Sequence, residues 1–268
     1  MQELLERAAP LLRLPGPLGS PDQMPEVVEG GLRCPDSGRV LPVRDGVLDL
    51  LDPGFAPTVS QKALDFRLTA WLYDWLRPHL APLFRMPSFA SEVENAVEHL
   101  GLERGDSVLD VACGQGNFTL AFAERVGPDG LVVGLDIARA MLARAARHVR
   151  ETGVRNVLLV RGDALALPIA TGAFPRVACS GGLHQIPDLP RALAEFRRVS
   201  RPGGRLVASG FASLPGSTGA TRRLMRRAAD LHAVDLGWLR GELETAGYED
   251  VAFEMPAGAV GYIWGRIA

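Results

Sequence analysis

Between Ser107 and Phe211, short apolar runs alternate with stretches whose apolar residues recur every three or four positions. The runs are SVLDV (107–111), LVVGLD (131–136), NVLLV (156–160), RVACS (176–180) and GRLVASGF (204–211). Their length and β-branched content fit strands covered on both faces. Helical spacing opens between them, from Phe118, from Ala138 and from Leu189. Strands alternating with helices predict right-handed crossovers, and so an α/β, doubly wound, mostly parallel sheet. Upstream, SEVENAVEHLG (91–101) predicts a helix with a capping box at Ser91 and Glu94, an apolar stripe of Val93, Val97 and Leu100, and a stop at Gly101. Downstream, EDVAFEMP (249–256) and AVGYIWGRIA (259–268) read as adjacent strands closing one edge as a hairpin, for a sheet of seven strands.

The rest of the chain patterns differently. Residues 1–57 are rich in Pro, Gly and Asp with little helical period, and read as a small appendage of turns with short strands at RVLPV and GVLDLL. In 58–90, Leu64, Leu68, Trp71, Leu72 and Trp75 recur at helical spacing among crowded aromatics. A helix packed on the main domain is the first reading, and an aromatic cover over a ligand site the second. Residues 91–268 form the main domain, with a short cap at 211–236.

The 268 residues carry 29 basic and 31 acidic side chains, for a net charge of −2. That balance supplies no basic field of the kind that binds nucleic acid, which is therefore disfavoured as a partner. Three scattered cysteines, Cys34, Cys113 and Cys179, make no disulfide framework and point to a reducing, cytoplasmic setting. The acidic start, with its short proline-broken apolar run, reads as neither signal peptide nor membrane span.

Chemistry concentrates where strands end. DVACGQGN (110–117) is a turn in which Gly114 and Gly116, lacking Cβ atoms, let a ligand lie against the backbone at a helix N-terminus. Asp136 follows Gly116 by twenty positions, where a carboxylate can accept both hydroxyls of a ribose; it could equally cap the helix after it. Asp163 follows the third run, where its carboxylate could accept an adenine amino proton. A dinucleotide dehydrogenase fits poorly, because Thr119 replaces the small third residue of its fingerprint and an acid, Asp110, precedes the loop.

Taken in order, VLDVACGQGNFTLAFA, GLDIARAMLARA, RGDALALP, LHQIPDLPRALAEFRRVSRPGGRLV and LRGELETAGYEDV resemble the motifs of class I S-adenosylmethionine-dependent methyltransferases, particularly those acting on small molecules. The resemblance implies a Rossmann-like methyltransferase fold and S-adenosylmethionine as cofactor. It further implies that Asp110 and the loop hold the methionine ammonium, that Ala112, Cys113, Gly114 and Gly116 line the cofactor, and that Asp136 binds the ribose. Ile137 and Met141 would flank the adenine, Asp163 and Ala164 would meet its amino edge, and Ser180 and Gly181 would sit beside the methionine moiety. Ala112 stands where the family often has glycine, a modest change if its φ is negative.

LRCPDSGRVLPVRDGVLDLL resembles the second half of a zinc ribbon carried by some methyltransferases, ribosomal guanine enzymes among them. Of the positions where ligands are expected, Cys34 alone is a thiol, the others being Ser37, Leu14 and Pro17. One thiolate cannot build a tetrahedral site, so no metal is expected. CSGGLHQIPD lacks both the Pro-Pro-aromatic run of RNA adenine enzymes and the Pro-Cys pair of RNA cytosine enzymes, and Cys179 reads as a small buried hydrophobe. A small-molecule acceptor is favoured. It would be anionic if the i,i+4 pairs Arg222 with Arg226 and Arg223 with Arg227 face it. His184, just after the fourth run, is the candidate general base, with His232 in reserve. Two alternatives stand beside this reading: an rRNA or tRNA methyltransferase with a degenerate ribbon, and a cofactor-holding protein working as a cyclase or interaction module.

Overall fold

The computed structural model describes residues 1–14, 23–55, 88–213, 233–256 and 260–268. The parallel centre of the sheet is β5 (Ser107–Val111), β6 (Leu131–Asp136), β7 (Val157–Arg161), β8 (Phe174–Cys179) and β9 (Ser200–Ser213). Its spatial order is β7-β6-β5-β8-β9, continued by antiparallel β12 (Val260–Ile267) and then β11 (Tyr248–Glu254) at the edge. All six residues of β6 are buried, as expected for a strand covered on both faces.

Alternate residues of each strand feed two cores. On one face Val108, Val132 and Leu159 pack with α2 (Phe89–Leu100), α3 (Asn117–Val126) and α4 (Arg139–Thr152). On the other, Leu109, Val133 and Val160 pack with α1 (Gln2–Ala8), α5 (Leu189–Val199) and α6 (Leu236–Thr245). The chain order around β5 reverses direction between β6 and β8, and the crevice at that switch point is where a doubly wound sheet accepts a ligand.

The N-terminal segment differs from expectation. The strands at β3 (Val40–Arg44) and β4 (Val47–Asp49) are where the sequence placed them, but with β1 (Glu26–Val28) and β2 (Gly31–Arg33) they form a meander whose last strand pairs in parallel with β7. Adding the two-residue β10 (Val234–Asp235) beside β9, the sheet has twelve strands among the described residues rather than seven. The helix α1 was not anticipated, because seven residues give too few turns for periodicity to register. It nonetheless belongs to the core: Leu5, Leu12 and Leu14 are fully buried, and Leu12 bridges Ile169. Leu14 and Cys34, two of the supposed ligand positions, are buried in that core, Ser37 is exposed, and Pro17 lies outside the described residues. Among the described residues, no group of His, Cys, Asp or Glu could hold a metal ion, and no helix is long and apolar enough to cross a membrane.

Two further differences are local. The cap of α2 is Ser88, whose hydroxyl accepts from the Ser91 N–H, so the capping box read at Ser91 and Glu94 is displaced by one turn. The buried stripe is accordingly Glu92, Ala96 and Leu100, with Val93 and Val97 only half-buried. The helical zone of 58–90, apart from its last three residues, lies outside the described residues, as do Arg222, Arg223, Arg226, Arg227 and His232 of the cap.

Because α1 plugs the main core, Leu5→Ala should destabilise the whole domain by about 2–5 kcal/mol, visible as a single shifted urea transition. A separate low-stability transition for the N-terminal segment would show that it is an appendage after all.

Candidate functional site

The turn after β5 is built around backbone that ordinary residues avoid. Gly116, with φ 85°, is the N-cap of α3 and lets the chain reverse into the helix. Ala112 also lies in the left-handed region, at φ 56°, which corrects the expectation that its φ is negative. That conformation costs a residue with a Cβ about 1–2 kcal/mol, a strain that glycine would not bear. The loop is held from three sides. The Cys113 N–H donates to the Leu135 carbonyl at 3.0 Å, the Gly114 N–H to Asp136 Oδ2 at 2.8 Å, and His148 Nδ1 lies 3.1 Å from the Gln115 carbonyl.

Asp136 is tied to the backbone on both sides of the switch point. Its Oδ1 accepts from the N–H of Ala138, the N-cap of α4, at 2.8 Å, which closes the turn into the helix without a side-chain cap on the helix itself, while the same carboxylate grips the loop and lines the cleft. Ala112, Cys113 and Gly114 line one wall, Ile137 and Met141 another, Asp163 and Ala164 the third, and Ser180 and Gly181 the floor after β8. Asp163 closes its own turn by accepting from the Leu165 N–H at 2.9 Å. The Ser180 hydroxyl is buried with no partner among the described residues, and it borders the cleft.

Three candidates stand off the lining. Gly116 shapes the turn from behind. Asp110 is fully buried under the loop, its Oδ2 accepting from Thr119 Oγ at 2.6 Å and its Oδ1 without a partner among the described residues. Burial, and after it the charge of Asp136, pushes its carboxyl up to about 7, against the lowering effect of the Thr119 hydroxyl. His184 sits in a 3-10 turn with its ring against Phe211 at 4.8 Å, edge to face, and its Nδ1 accepts from the Phe211 N–H at 3.4 Å. Burial lowers it to about 4, so the ring is neutral near pH 7. Burial, then Asp136 and Asp110, push the Cys113 thiol well above its ordinary range, which leaves it a packing group.

The sequence reading missed a fourth wall. Phe89 and Glu92 of α2 reach the cleft, with Phe89 edge-on to Phe118 at 5.1 Å, and Gln185, Ile186 and Pro187 border it across the gap. Glu92 is 4% exposed. A glutamate between apolar residues on a helix normally marks the solvent face, so only its neighbours in space reveal it.

Solved structures with this architecture include a SAM-dependent methyltransferase from Aquifex aeolicus, 21% identical, with TM-score 0.55 over 66% of this chain and 89% of the other. The [4+2]-cyclase SpnF is likewise 21% identical, with TM-score 0.59 over 79% and 97%. The chain thus has the Rossmann-like fold of the S-adenosylmethionine-dependent methyltransferases. Within it, residues 93–218 match the model of the ubiE/COQ5 methyltransferase family. A demethylmenaquinone methyltransferase of Anoxybacillus flavithermus is 40% identical over 114 residues, 42% of this chain and 48% of the relative. Another, from Geobacillus stearothermophilus, is 38% identical over 114 residues, 42% and 49%. The chain therefore spans about half the length of the curated relatives it matches.

Two outcomes test the site's geometry. A Cβ on Gly182 would lie 2.6 Å from the Ala112 Cβ, so Gly182→Ala should cost about 1–3 kcal/mol. Ala112→Gly in the same chain should recover most of that loss, which melting of the double variant checks.

The second outcome concerns pH. From about 4 to about 7 the folded protein keeps a proton on Asp110 that the unfolded chain releases, so this group makes stability fall as pH rises. From about 4 to 6.5 the unfolded chain protonates His184 while the folded one does not, so this group makes stability rise with pH. In the parent the two slopes offset. Denaturant titrations of Asp110→Asn should therefore gain a positive slope of about 1.4 kcal/mol per pH unit relative to the parent between pH 4.5 and 6.

Proposed function

We propose that the chain binds S-adenosylmethionine in this cleft and moves its methyl group to a small, largely apolar acceptor. The observation that carries the reading is the charge of the lining: Glu92, Asp136 and Asp163 are present, and no Arg, Lys or His is, among the described residues. Such a lining favours a ligand carrying positive charge. It disfavours a dinucleotide, whose pyrophosphate would face three carboxylates. When bound, S-adenosylmethionine supplies an electrophilic methyl on a sulfonium, displaced in line by the acceptor.

The chain's own residues bind and orient. Asp136 has lone pairs beyond those given to Gly114 and Ala138 for a ribose, and Ile137, Met141 and Leu165 offer apolar faces to an adenine whose amino edge Asp163 and Ala164 meet. Ser180 Oγ, without a partner among the described residues, would hydrogen-bond the methionine end, and Asp110, under the loop, would ionise more readily beside the sulfonium without touching the cleft. On the acceptor side Phe89, Phe118, Ile186 and Pro187 make an apolar rim. Demethylmenaquinone, the substrate in the relatives' names, is an acceptor of that apolar kind. His184 is proposed to pin the turn after β8 to β9. Turned away from the cleft and with its conjugate acid near 4, it is a weak base, and catalysis then rests on alignment of the two reactants.

The test is calorimetry with S-adenosylhomocysteine followed by transfer of labelled methyl to a quinol panel. Asp136→Asn should weaken binding about tenfold, since one amide hydrogen faces a backbone N–H and a charged acceptor is lost. Equal affinity in variant and parent would remove Asp136 from the ribose site. Tight binding with no transfer to any acceptor would instead favour the cofactor-holding alternative.

A further inference from the structure

The N-terminal meander reaches the cleft from outside it. Strand β4 runs parallel to β7 with Asp49 level with Arg161, and the Leu50 N–H donates to the Arg161 carbonyl at 2.9 Å. This places the Asp49 carboxylate at the carboxyl end of the sheet. Its Oδ2 accepts from Arg161 Nη1 at 3.3 Å and from Arg139 Nη2 at 2.7 Å. Arg161 is mostly buried, with 19% of its side chain exposed, whereas Arg139 is 67% exposed. The Arg161 guanidinium does not point into the cleft. Its Nε donates to the Ile137 carbonyl at 3.1 Å, and the next residue, Gly162, donates its N–H to the Asp136 carbonyl at 3.1 Å.

The two residues that carry the ribose carboxylate and one adenine wall are thus held by their carbonyls from the end of β7. One of those two holds is a side chain whose direction Asp49 sets. An arginine fork committed at one end to a carboxylate has fewer ways to turn away at the other.

We infer that Asp49, acting through Arg161, is a positioning residue for the Asp136–Ile137 segment, so that the N-terminal meander completes the adenosine half of the cleft. The inference rests on the cofactor reading above. It gives the meander a function independent of any metal: the ribbon-like strands persist because their last residue braces the cofactor wall. Asp49 touches no ligand, and an exposed ion pair such as Asp49 with Arg139 contributes little to stability by itself. Its removal should therefore appear in binding and not in melting.

The experiment is S-adenosylhomocysteine calorimetry on the full chain, with unliganded melting measured alongside. Asp49→Asn should weaken binding about fivefold with the melting temperature unchanged, as expected for losing the orientation of one hydrogen bond. Arg161→Gln should do the same, and the double variant should lose about fivefold again and not the product of the two, because both act through one contact. Arg161→Lys keeps a charge toward Asp49 without the second donor, and it should behave like Arg161→Gln. Should Asp49→Asn fail to fold, Arg161→Lys alone reads the contact to Ile137. Unchanged affinity in Asp49→Asn and Arg161→Lys, full additivity, or an affinity loss matched by a fall in melting temperature would each overturn the inference. A parent that does not bind S-adenosylhomocysteine would overturn the cofactor reading, and this inference with it. A parent that binds beside variants that bind equally well overturns the inference alone.

Discussion

One carboxylate ties the molecule's two halves of the switch point together. Asp136 accepts from Gly114 in the turn after β5 and from Ala138 at the start of α4, so the loop and the neighbouring crossover share a single anchor. Both bonds are charge-assisted, which makes them about twice as strong as neutral ones, and both satisfy N–H groups that the turn and the helix start leave open. With the loop fixed this way, Ala112 can be kept in a backbone region it would otherwise leave. Strain of that kind persists only where surrounding contacts over-determine the chain. The cleft is therefore preformed by the protein's own polar groups.

The same arrangement explains the burial of Asp110. Its side chain shares the β5 face of Val108, where α3 packs, and Thr119 is the one hydroxyl available to it. Thr119, read from the sequence as a departure from a dinucleotide fingerprint, thus has a positive role. It supplies the hydrogen bond that lets an acid sit beneath the loop. Burial, and after it the charge of Asp136 at the cleft, raises the cost of ionising Asp110 beneath the loop, and a cation in the cleft would lower that cost.

The central strands and their parallel arrangement were legible because parallel strands buried on both faces leave continuous apolar runs. The turns after them were legible because glycine and aspartate have few other reasons to recur there. Asp136, Ile137, Met141, Asp163, Ala164, Ser180 and Gly181 all came out lining the cleft. What escaped were features decided by packing across the chain. Helix α1 is too short to show a period, and only its fit against the sheet makes Leu5 a core residue. Glu92 reads as a surface residue until the fold buries it in the lining of the cleft. The φ of Ala112 is not a property of alanine at all, since it is imposed by Cys113, Gly114 and Gly182 around it. His184 looked catalytic because of where it falls after β8, yet a strand neighbour, Phe211, takes up its ring nitrogen.

The N-terminal segment is held by packing against the main sheet. Leu14 and Cys34 are buried in an apolar core shared with β5, β6 and β7. Short strands of this kind stay folded only if they have a larger core to join, because a few dozen residues cannot bury enough surface alone. Pairing β4 with β7 provides that core and extends the sheet at the edge next to the Asp136–Ile137 wall of the cleft. An edge strand there would otherwise offer unpaired backbone groups beside a ligand site. Covering that edge and bracing the cleft wall are consequences of the same parallel pairing, since the register that satisfies β7 is also the register that sets Asp49 level with Arg161.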